Sequence, residues 1–166
     1  MTKSQKIILL LLAAALVAVS IAASVASRQE PERVVGDFVP PAFADAVLGA
    51  PAPHEVEGLP YGTLTLSEEI SVSMVSQLTA DEFGAVDVWF TAPDTNRGWV
   101  NLRLQDEEGN LLGETGIVRP GEYVQSIRLG SVPKSSGIIL ARILTYEPDT
   151  YYSMGSASAQ VMLNVK

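Results

Sequence analysis

The chain has 166 residues, a formal net charge of −8, a single histidine and no cysteine. That length holds one domain beside a short membrane segment. The acidic balance argues against a nucleic-acid partner, which needs the opposite charge, and the missing cysteines exclude disulfides, thiol catalysis and thiolate metal sites together.

Residues 7–26, IILLLLAAALVAVSIAASVA, contain no charge over twenty positions. As an α-helix the run is about 30 Å long, the thickness of a bilayer's hydrocarbon core. Lys3 and Lys6 precede it, while Arg28, Glu30, Glu32 and Arg33 follow it and cancel. The positive-inside bias therefore predicts a single-pass membrane protein with residues 1–26 as a signal anchor, the N-terminus cytoplasmic and the remainder extracellular. The same stretch also reads as a secretory signal peptide cleaved near Ala26, with Ser24-Val25-Ala26 as the small-residue site. A lipoprotein cysteine is absent, and so is the early glutamate of a type IV prepilin.

From residue 27 to 61 the composition shifts, with six of the ten prolines at positions 31, 40, 41, 51, 53 and 60. Prolines at this density oppose helix and central strand, so the segment reads as an extended stalk. Within it, Val34–Val39, VVGDFV, reads as a short strand or docking segment.

Residues 62–166 form the predicted ectodomain. Strands are expected at Thr63–Leu66, Ile70–Ser76, Val86–Phe90, Trp99–Gln105, Leu111–Thr115, Val124–Leu129, Ile138–Tyr146 and Ala157–Val165, separated by turn signals such as Pro120-Gly121. The period of two and the spacing predict an all-β fold, an antiparallel immunoglobulin-like β-sandwich of about seven to eight strands. Parity puts Val86, Val88, Phe90, Val100, Leu102 and Leu104 inside, and Asp87, Trp89, Trp99, Asn101, Arg103 and Gln105 outside. A hairpin whose residue numbers sum to 188 would oppose Val88 to Val100 and Trp89 to Trp99.

The run PDTNRGWVNLRLQDEEGNLLGETGIVRPGEYVQSIRL, the apolar strand ending at Tyr146 and the last strand GSASAQVMLNV resemble a family of small single-pass surface proteins of Gram-positive bacteria. The likeness covers roughly residues 62–166 and centres on the G-I-x-x-P-G turn at 116–121, Ile127 and Leu129, and Gly155-x-Ala157. It departs from the usual pattern at Gly98 and Trp99, after the PDTN loop. The resemblance implies an anchor, a variable stalk and one β-sandwich, and it carries no catalytic residue.

Chemistry-bearing groups are sparse. His54 lies among the stalk prolines, where no fixed geometry would hold it as a base or ligand, and without a base the serines cannot form a Ser-His-Asp site. The acidic groups at 81–82, 94, 106–108, 147 and 149 lack EF-hand spacing and read as solvated turns. Met74, Met154 and Met162 have no neighbouring histidine with which to hold copper. The expectation is a non-enzymatic protein with no cofactor and no metal site, and with no pattern for a small-molecule ligand.

What remains is aromatic surface. Trp89 and Trp99, on the outer face, and Tyr151, Tyr152 and Met154, in the loop YEPDTYYSMG, are the residue types enriched at protein contacts. They are the predicted partner-binding residues, toward an extracellular or envelope protein, with the membrane itself contacted through residues 7–26. Two other classes stay open: a module binding calcium or carbohydrate, and a structural subunit that assembles by strand exchange through Val34–Val39.

Overall fold

The computed structural model describes residues 39–166. The anchor at 7–26 and all of Val34–Val39 except Val39 lie outside the described residues. Among those described, no helix is long and apolar enough to cross a membrane. Residues 40–166 form one compact unit.

The unit is all-β, with ten strands and one single-turn helix. In chain order they are β1 (Val47–Leu48), α1 (Pro53–Val56), β2 (Tyr61–Ser67), β3 (Ile70–Val75), β4 (Gln77–Ala80), β5 (Ala85–Ala92), β6 (Trp99–Gln105), β7 (Leu111–Glu114), β8 (Glu122–Arg128), β9 (Gly137–Tyr146) and β10 (Ser153–Val165). They make one curled sheet in the order β1-β8-β5-β4-β10-β9-β6-β7, and β2 and β3 branch from β5. The branch arises because β3 and β4 are consecutive pieces of one bent strand. Ser73 of β3 pairs antiparallel with Thr91 of β5, whereas β4 runs parallel to the end of β10, with Leu78 opposite Leu163.

The apolar positions of both arms meet in one core. Val72, Leu78, Val88, Phe90, Leu102, Leu104, Ile143 and Leu163 are all at most 1% exposed. Alternation explains β9, where Ile139, Ala141 and Ile143 are buried and Ile138 and Arg142 are exposed.

Three expectations about β5 and β6 are overturned. The hairpin with numbers summing to 188 does not form. Instead β5 pairs with β8, Val86 opposite Ile127, and β6 pairs with β9, Trp99 opposite Tyr146 and Val100 opposite Thr145. The connecting loop is held by β3: the Asn96 carboxamide accepts from the Ser71 N–H at 2.9 Å and donates to the Ser71 carbonyl at 2.7 Å. Asn96 thus substitutes for a strand partner and steers the chain from one arm to the other. The second correction concerns Trp89, which is buried at 6% exposure between buried Val88 and Phe90. The ladder slips between Asp87 and Phe90, and Trp89 has φ +46°. A bulge of this kind breaks the alternation on which an outward Trp89 depends. Asn101 also departs from its outward parity and is fully buried.

Residues 40–60, assigned by composition to the stalk, belong to the compact unit. Val47 and Leu48 pair with Tyr123 and Glu122, and the Gly49 N–H donates to the Gly121 carbonyl at 2.7 Å. Phe43 bridges Ile117, flanked by bonds from the Ala44 N–H to the Ile117 carbonyl and from the Ile117 N–H to the Ala42 carbonyl. The prolines are compatible with this because the pairing is confined to short edge pieces between them. Pro53 opens α1, where its missing N–H costs nothing, and Glu55 accepts from the Ala52 N–H at 2.6 Å. His54 is exposed on this turn.

Candidate functional site: an aromatic cluster at the start of β6

Trp99 opens β6, and Gly98 before it is required by crowding. A Cβ on Gly98 would lie 2.8 Å from the Met154 Sδ, 3.0 Å from Ile70 Cδ1 and 3.1 Å from the Tyr146 carbonyl oxygen. The β9–β10 loop is closed by the Glu147 N–H donating to the Tyr152 carbonyl at 2.8 Å and the Tyr151 N–H donating to the Glu147 carbonyl at 3.1 Å. Within it Thr150 Oγ1 donates to Glu147 Oε2 at 2.7 Å. Asp149 and Tyr151 take φ +68° and +59°, left-handed conformations that cost a side-chain-bearing residue on the order of 1 kcal/mol.

This loop carries the Tyr151 ring to Trp99, edge to face, with centroids 5.3 Å apart. Phe43, from the docked N-terminal segment, meets Trp99 at 5.1 Å and Tyr151 at 6.4 Å. Arg119 completes the cluster, its guanidinium carbon 4.0 Å from the Phe43 centroid, a cation–π distance. Arg119 also pairs with Glu122 at 3.4 Å, so its charge is partly balanced. Four chain segments far apart in sequence thereby place three rings and a cation together. Phe43 is 39% exposed, Tyr152, next to Tyr151 in the loop, is 73% exposed, and Trp99 and Tyr151 are half-buried.

Of the residues singled out from the sequence, the structure brings Trp99 and Tyr151 into contact and leaves Tyr152 exposed in the same loop. Met154 is partly exposed, and its sulfur lies against Gly98, the residue before Trp99. Trp89 is elsewhere, stacked on Tyr123 at 6.0 Å with ring planes 15° apart. Sequence reasoning missed Phe43 and Arg119, since a lone phenylalanine between prolines and an arginine in a turn carry no periodic signal.

Other features offer less chemistry. A groove of about 660 Å³ is lined by Leu48, Tyr61, Thr91, Asp94 and Pro120 among others, and none of the predicted contact residues borders it. Its Tyr61 hydroxyl is already bonded to Thr91 Oγ1 at 2.7 Å. Among the described residues, no three histidine, aspartate or glutamate side chains converge as a metal site.

The arrangement is that of a β-domain with a partly exposed cluster of aromatic rings on its surface. No protein-family model matches the chain, and comparison with the curated proteins finds no match.

Proposed function

We propose that this chain is a membrane-tethered, extracellular, non-enzymatic interaction module whose contact surface is the Phe43–Trp99–Tyr151 cluster with Tyr152 at its rim. The observation that carries the reading is the convergence of Trp99 and Tyr151 at 5.3 Å on a loop whose Tyr151 is held at φ +59°. Rings fixed in advance lose little entropy on binding, and backbone strain concentrates at functional positions. Aromatics and arginine are the residue types that dominate protein contacts.

The finer fold reading is an immunoglobulin-like sandwich. It is supported by the bent β3–β4 strand, which pairs antiparallel with β5 and then parallel with the final strand, so that it passes from one arm to the other. The charge-free run at 7–26 and the flanking lysines support the tether. The resemblance to small Gram-positive surface proteins agrees with that address.

The test is site-specific photo-cross-linking on intact cells from a benzoylphenylalanine placed at Tyr152, with a control at Glu107 in the turn after β6. A discrete adduct from position 152 that is absent from position 107 supports the reading. Equal labelling from both positions, or none, refutes it.

A further inference from the structure

The groove of about 660 Å³ beside Tyr61 falls within the size range of small-molecule sites, about 300–1,000 Å³. Five separate chain segments build it, so no local pattern in the sequence announces it. Leu48, Ala50, Ala92, Pro93 and Pro120, together with the Tyr61 ring, make its walls largely apolar.

The polar groups in this setting are mostly left as acceptors. Tyr61 Oη donates its proton to Thr91 Oγ1 at 2.7 Å, and Thr91 Oγ1 donates its own to the Trp89 carbonyl at 3.2 Å, so both oxygens keep only lone pairs. The N–H groups of the two lining glycines are engaged, Gly49 with the Gly121 carbonyl and Gly121 with the Ala92 carbonyl. Ser73 is tied to the Thr63 hydroxyl at 2.8 Å.

Asp94 adds a full charge. The turn that carries it is fixed, with the Asn96 N–H donating to the Pro93 carbonyl at 3.1 Å and the Asn96 carboxamide holding Ser71. Asp81 and Asp106 turn their carboxylates onto N–H groups of their own turns. Among the described residues the Asp94 carboxylate accepts no hydrogen bond and pairs with no cation. Gly121, at φ +78°, flanks it without a side chain. No lysine, arginine or histidine is among the described residues that line the groove, and the adjoining Arg119 is engaged by Phe43 and Glu122.

We propose that this groove binds a small organic cation, a primary ammonium group carried on an apolar body. An ammonium offers donors and no acceptor, which matches the Asp94 carboxylate and the Tyr61 oxygen, while the apolar body covers the walls. An alcohol of the same shape has one donor and no charge, and a carboxylate would set like charge against Asp94. The net charge of −8 favours the approach of a cation. None of the rings of the aromatic cluster lines the groove, so the site is independent of the proposed contact surface.

The test is ligand-observed fluorine NMR on the full-length protein in an uncharged detergent at neutral pH, with empty micelles as the blank. The probes are para-fluorophenyl alkylamines with two, four or six methylene groups, beside the matching alcohols and carboxylates. At least one amine should bind, and about tenfold or more tightly than its alcohol or carboxylate, the factor expected of a hydrogen bond to a charged group. Asp94→Asn should weaken the amine by about the same factor, whereas Glu107→Gln, in the turn after β6, should leave it unchanged. Ala50→Trp, at an exposed position of the wall, should block the groove. Thermal melting shows that the variants are folded. The proposal is overturned if no amine is broadened beyond the blank at millimolar concentration, if the alcohols bind as tightly as the amines, or if folded Asp94→Asn or Ala50→Trp binds the amine as the natural chain does.

Discussion

The Trp99 indole and the Tyr151 ring meet edge to face, with centroids 5.3 Å apart, across fifty-two positions of sequence. Such pairs contribute about 0.5–1.5 kcal/mol beyond their buried area. A double-mutant cycle of Trp99→Ala and Tyr151→Ala, read by urea denaturation, should therefore show a coupling in that range. Strict additivity would mean that the loop is held by its backbone bonds alone and that the rings are neighbours without interaction.

Glycine and aspartate on either side of this cluster respond in opposite directions. Asp149 sits at φ +68°, so Asp149→Gly should relieve strain and be neutral or stabilising by up to about 1 kcal/mol. At Gly98 the Tyr146 carbonyl, 3.1 Å from where a Cβ would stand, is backbone and cannot swing away. Gly98→Ala should destabilise by about 1–3 kcal/mol, as overpacking does, and displace Met154. Thermal melting of the two variants checks both signs.

Asn101 is fully buried, and its carboxamide oxygen and nitrogen have no hydrogen-bond partner among the described residues. An unsatisfied buried amide costs about 1–3 kcal/mol, and an apolar group of similar shape does not incur that cost. Asn101→Leu should raise the urea midpoint, by an amount equivalent to roughly 1 kcal/mol. A lowered midpoint would show that the amide is satisfied in solution.

Asp106 closes the β6–β7 turn. Its carboxylate accepts from the Asn110 side-chain amide at 2.8 Å and from the Asn110 N–H at 2.7 Å. The Asn110 side chain is the largest influence, and together with the backbone N–H groups of the turn it outweighs desolvation and holds the Asp106 pKa below its ordinary value. A depressed folded-state pKa stabilises above the unfolded-state value and is lost as pH falls through the folded one. The difference in stability between the natural chain and Asp106→Asn should therefore be constant near neutrality and shrink under acid, below the ordinary aspartate range. A difference that grew on acidification would contradict the assignment.

How much of this was legible in the sequence depended on whether the signal was local. Trp99–Gln105 is the observed extent of β6, because alternation runs unbroken between a turn before it and an acidic turn after it. β4 was missed: Gln77–Ala80 is four residues long, and its ladder partner is the end of the chain. The hairpin register failed because parity is silent about which strand lies alongside, and Asn96 diverts the connection. Trp89 was misplaced by a one-residue bulge. Of the contact cluster, Trp99 and Tyr151 could be named from residue type and loop position, but Phe43 could not, since its place depends on the 42–44 backbone docking on Gly116. There a Cβ would come within 2.8 Å of the Ala42 oxygen.

The measurement that bears most directly on the central claim is capture from envelope extract by full-length protein, comparing the natural chain with Trp99→Ala and Tyr151→Ala variants whose melting shows them folded. Truncation of a contact hot spot costs about 2 kcal/mol or more, roughly a thirtyfold loss of affinity. The account predicts a partner retained by the natural chain and lost from both variants. The same partner retained at equal strength by both folded variants would contradict it.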